Sequence, residues 1–88
     1  MPGIDEIWRR ITALEGETFT QARGGQFTFE MRPGSLRPNR TNRNLPRSTF
    51  EEALRRIPLA GPGQIQDLQG PSYVFAILMD TRVRHGDW

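Results

Sequence analysis

The sequence predicts an α+β fold: a small single domain with a helix, a three-stranded antiparallel meander, and then two helices packed on one face of the sheet. Three observations carry this reading. Apolar residues recur at helical spacing near the start, the period changes to two from Glu17, and a helical pattern returns after residue 48. With 88 residues the chain has the size of one domain, residues 1–88, whose core must be thin and closely filled. Trp8, Phe19, Phe27, Phe29, Phe50 and Phe75 supply the bulk for that core.

Ile4, Ile7, Trp8, Ile11 and Leu14 fall on one face of a 3.6-residue repeat, which defines the first helix. Asp5 and Glu6 suit the positive end of its dipole, Arg9 and Arg10 lie within reach of them, and Gly16 can take the left-handed conformation that ends helices. Phe19 stands between two threonines, and Phe27, Phe29 and Met31 alternate with polar residues. A hairpin follows, with Gly24-Gly25 at its tip and Arg23 projecting there. Pro33-Gly34 provides a type II turn, so that Ser35-Leu36-Arg37 returns as the third strand.

Residues 38–47 have no periodicity and read as a loop rich in arginine and asparagine. Ser48-Thr49-Phe50-Glu51 matches a capping box, in which the Ser48 hydroxyl accepts from the Glu51 N–H, and the second helix starts there. Phe50, Ala53, Leu54 and Ile57 form its buried stripe, Pro58 stops it, and Glu51 and Glu52 precede Arg55 and Arg56 at the spacing of intrahelical ion pairs. Residues 58–70 form a glycine- and proline-rich connector. Residues 73–79 are apolar throughout and fit a buried helix or a central strand; Gly70-Pro71-Ser72 favours the helix.

Charge is segregated along the chain. All twelve basic residues are arginine, and residues 23–47 carry +5, against −2 for residues 1–22 and −1 for residues 48–88. Guanidinium groups pair bidentately with phosphate or with guanine, and asparagine amides match adenine. The candidate binding set is therefore Arg37, Asn39, Arg40, Asn42, Arg43, Asn44 and Arg47, joined by Ser48 at the start of the second helix and extended by Arg23 and Arg32. These residue types point to a non-enzymatic nucleic-acid-binding module. Duplex DNA is favoured over RNA because no aromatic side chain interleaves with the basic segment as a stacking platform. The alternative is a protein-interaction module, an inhibitor or assembly subunit, whose arginines meet an acidic protein partner with help from apolar residues near Tyr73 and Trp88.

Other chemistry finds little support. There is no cysteine and His85 is the only histidine, so neither a disulfide nor a zinc site is expected, and no cofactor is implied. Asp80, Arg82, Arg84, His85 and Asp87 cluster near residue 88, where fraying opposes a pre-organised catalytic site; Asp80 suits a cap. No window is long and apolar enough for a membrane span and the first residues do not read as a signal peptide, which suggests a cytoplasmic protein. The order helix, three strands, helix over residues 4–57 is similar to that of double-stranded-RNA-binding domains. That family's lysine cluster at the second helix has no counterpart here beyond Arg47.

Overall fold

The computed structural model describes residues 1–88 and has the α+β class that the sequence predicts. Helix α1 spans Ile4–Thr12, with Ile7 and Ile11 fully buried. Gly16 adopts φ 85, and its N–H donates to the Phe29 carbonyl at 3.1 Å, so the end of the helical region is tied to a strand. Five short strands follow: β1 Phe19–Thr20, β2 Gln26–Phe27, β3 Phe29–Arg32, β4 Ser35–Pro38 and β5 Leu45–Pro46.

The expected meander divides into two sheets. β1 pairs with β2, and a separate three-stranded antiparallel sheet has the order β3-β4-β5. The division falls at Thr28, for a local reason: its N–H donates to the Asn39 side chain at 3.0 Å, and its carbonyl accepts from the Asn39 N–H at 2.9 Å. The alternation of Phe27, Phe29 and Met31 survives the break, because the chain changes partner without changing phase. Gly34 closes the β3–β4 turn at φ 69, as the Pro33-Gly34 pair predicts. Residues 4–57 thus hold five strands between two helices, which departs from the three-strand order of the double-stranded-RNA-binding domains.

Helix α2 spans Arg47–Arg55, and its start corrects the capping-box expectation. No side chain caps it. Pro46 is the N-cap, and the Arg47 N–H donates to the Gly34 carbonyl at 3.0 Å, so strand pairing of β5 brings the chain into the helix one residue before Ser48. Ser48 is left exposed inside the first turn.

A single turn of 3-10 helix at Pro62–Ile65 anchors the connector through the buried Ile65. The apolar segment is a helix, α3, spanning Pro71–Leu78. Gly70 precedes it at φ 57, Pro71 takes the first turn, and the Val74 N–H returns to the Gly70 carbonyl at 3.0 Å. A short α4, Thr81–Arg84, is capped by the Asp80 carboxylate, which accepts from the Arg82 N–H at 2.9 Å.

Helices flank the three-stranded sheet, and α3 packs against α2, α4 and β1. Seventeen apolar residues form one buried cluster that includes Ile7, Phe19, Phe27, Phe29, Phe50 and Ile77. Trp8 tilts against Phe50 with ring centres 5.5 Å apart, and Tyr73 meets Phe27 edge-on at 4.9 Å. The last residues are bonded to the rest of the fold: the Trp88 indole N–H donates to the Leu78 carbonyl at 3.0 Å, and Arg10 bonds the Val83 carbonyl at 2.8 Å. The bond from Arg10 to Val83 joins residues 73 positions apart, a pairing that periodicity does not reveal.

Candidate functional site

The arginines divide by partner. Arg9 and Arg10 pair with Glu6, and Arg10 also reaches Asp87 at 2.8 Å. Arg32 meets Glu30 at 2.5 Å, and Arg47 is engaged by Asp5 of α1. Arg55 bridges Glu51 and Glu52 at 3.5 and 3.0 Å. Arg56 contacts Glu52 at 3.1 Å and grips both oxygens of Asp67 at 2.6 and 2.8 Å. Arg82 bonds Asp80 at 2.9 Å, lies 4.5 Å from the Phe19 ring centre and donates to the Thr18 carbonyl, while Arg84 is held by the Trp88 main-chain oxygen. That leaves Arg23, Arg37, Arg40 and Arg43, none of which has an acidic partner.

The four unpaired arginines occupy two neighbouring loops and the strand beside them. Arg23 lies in the turn between β1 and β2, which is closed by the Gly24 N–H on the Gln21 carbonyl at 2.8 Å and the Gln21 N–H on the Gly25 carbonyl at 2.7 Å. Arg40 lies in the β4–β5 loop and reaches that turn: a Cβ on Gly25 would sit only 2.7 Å from its Nη1. Glycine at 25 therefore leaves room for the Arg40 guanidinium, and for the Gln21 side-chain oxygen, beside the turn. Arg37, on β4, donates through Nε to the Asn44 Oδ1 at 3.0 Å, and the Arg43 N–H donates to the Thr41 hydroxyl at 3.3 Å.

The remaining members of the predicted set have other duties. Asn39 clamps the loop to Thr28, Asn44 holds Arg37, and Asn42 is exposed and makes no hydrogen bond within the chain. Arg32 and Arg47 are neutralised by Glu30 and Asp5, and Ser48 caps nothing. The Arg32 Nε is the one buried side-chain nitrogen or oxygen that lacks a partner. The partnership of Arg47 with Asp5, 42 residues away, has no signal in the local sequence pattern.

Two clefts adjoin this surface. One, of about 390 Å3, is lined by Thr28, Glu30, Arg37, Asn39, Thr41 and Asn42 among others. The other, of about 400 Å3, lies between Arg23 and the start of α3, where Gln21 donates to the Ser72 hydroxyl at 2.9 Å. His85, at φ 52, follows α4 and lines a shallow cleft with Arg9, Arg10 and Arg82. No three His, Cys, Asp or Glu side chains come together as metal ligands would, and no helix is long and apolar enough to cross a membrane.

The carboxylates with shifted acidities are partnered by arginines other than the four unpaired ones. Hydrogen bonds from Arg56, then Arg55, hold Glu52 below the usual carboxylate range, and Arg56 does the same to Asp67. The Arg82 side chain lowers Asp80. All three shifts arise from ion pairs that fasten helix ends or the connector, which is a structural role. No family model, curated protein or solved structure matches the chain.

Proposed function

We propose that the protein is a non-enzymatic, cytoplasmic module that binds duplex DNA through the turn at residues 21–25, the outer end of β4 and the loop at residues 39–44. The observation that supports this reading is the confinement of every arginine lacking both an acidic and a main-chain partner to Arg23, Arg37, Arg40 and Arg43. An arginine already held by a carboxylate must exchange that partner for phosphate, or bring a repelling charge to the interface; an unpaired guanidinium does neither. Duplex is favoured over single strands because the aromatic residues bordering this surface, Phe27 and Phe29, are buried and offer no stacking face.

Fluorescence anisotropy of a labelled random-sequence duplex tests the proposal. Binding at low salt is expected, with Arg40→Ala and Arg43→Ala each weakening it and lowering the log–log salt slope by about one unit. Arg55→Ala, which removes the same charge from an ion-paired position, should leave both quantities nearly unchanged. Absence of duplex binding at low salt rejects the reading and transfers the unpaired arginines to an acidic protein partner. The apolar contribution expected of such a partner site is weak here, since Tyr73 packs on Phe27 and Trp88 packs against the core.

A further inference from the structure

Resting on the duplex-binding reading, we infer that Asn42 is the residue that reads a base, and that the base is adenine, met through the major groove. The chain has three asparagines in this region and the structure gives them different occupations. The Asn39 Oδ1 accepts from the Thr28 N–H at 3.0 Å, and the Asn44 Oδ1 accepts from the Arg37 Nε at 3.0 Å. Recognition of adenine needs both ends of the amide at once: the Nδ2 group donates to N7 while Oδ1 accepts from the N6 amino group. Only Asn42 has both ends uncommitted and exposed.

Its surroundings suit the task. Asn42 lies between Arg40 and Arg43, two guanidinium groups without acidic partners, which can hold phosphates on either side of a base edge. The loop is braced before it meets a ligand: the Thr41 N–H donates to the Pro38 carbonyl at 3.3 Å, the Thr41 hydroxyl accepts from the Arg43 N–H, and Arg37 ties to Asn44. A braced loop loses less freedom on binding. Asn42 also borders the cleft that holds Arg37 and Asn39, so its amide faces an open space beside the unpaired guanidinium groups. Guanine presents O6 in place of the adenine amino group, so the asparagine oxygen would face an acceptor.

Selection from a pool of random-sequence duplexes, followed by binding to the enriched site with 7-deazaadenine at its preferred adenine, tests the assignment. The parent protein should enrich an adenine and lose about ten-fold or more in affinity when N7 is removed. Asn42→Ala should lose that enrichment and become insensitive to the deaza substitution. Asn39→Ala should instead lower the melting temperature, and a refolded fraction should keep the adenine preference. Retention of the preference by Asn42→Ala overturns the assignment, and so does duplex binding by the parent with no base preference, which leaves the duplex-binding reading standing. No duplex binding by the parent overturns both.

Discussion

The paired arginines and the unpaired ones differ in what holds them, although the side chain is the same. Arg10 and Arg56 each reach carboxylates on more than one segment, and Arg82 joins Asp80, the Phe19 ring and the Thr18 carbonyl. These act as fasteners between elements. Arg23, Arg40 and Arg43 are exposed, and together with Arg37 they lie where no acidic residue pairs with them. Glu30 is the one acidic residue of the basic segment, and Arg32 takes it. Charge in this protein is therefore best counted after pairing: a basic composition is partly consumed by the fold, and the remainder is concentrated on two adjoining loops and on β4 beside them.

If the loops are braced by the core and are not loose appendages, the largest effect should come from the residue beneath them. Phe29→Ala removes a buried ring that contacts Phe19 at 5.4 Å between centres, at the head of the strand that carries the sheet. A loss of about 3 to 5 kcal/mol is expected in chemical denaturation. A change below 1 kcal/mol would mean that the β3 strand does not anchor the loops.

Gly70→Ala tests the other end of the same loop. Position 70 has φ 57, and an added Cβ would lie 2.8 Å from the Leu45 side chain, which closes the loop in β5. The combined strain and overpacking should cost about 1 to 3 kcal/mol. A smaller contrast is expected between Asn39→Ala and Asn42→Ala. The first leaves the Thr28 N–H without its acceptor and should cost about 1 kcal/mol, whereas the second should stay within about 0.5 kcal/mol. Equal effects would show that the two asparagines are not distinguished by bonding.

The paired region should also be the acid-sensitive one. Glu52, Asp67 and Asp80 have pKa values lowered in the folded state by their arginine partners, so their contribution is complete above the unfolded-state values and is lost as pH falls through the folded ones. The melting temperature should decline as pH drops below about 4, and Arg56→Ala should reduce that dependence. A melting temperature independent of pH in that range would show that these pairs do not persist in solution.

Much of the fold was legible because its cues are local. The period of Ile4, Ile7 and Ile11, the alternation of Phe27 and Phe29, the Pro33-Gly34 turn and the Gly70-Pro71 start of α3 each depend on neighbours in sequence. The start of α2 was misplaced by one residue because a strand bond from Arg47 to Gly34 outweighed a plausible cap at Ser48. The meander divided for a similar reason, since the Asn39 side chain takes the place of a ladder partner at Thr28. Within the candidate site, the basic segment was visible as composition, but its partition was not. That Arg47 belongs to Asp5 and Arg40 to the Gly25 turn depends on contacts between distant parts of the chain.

On the duplex-binding reading, the unpaired arginines alone supply the phosphate contacts. The salt dependence of duplex binding measures that number directly, because each neutralised phosphate contributes about 0.9 to the log–log slope. Four contacts give a slope of about −3.6, and Arg37→Ala, Arg40→Ala and Arg43→Ala combined should reduce it to about −0.9. A steeper slope that survives the triple substitution would place the contacts on the ion-paired arginines instead.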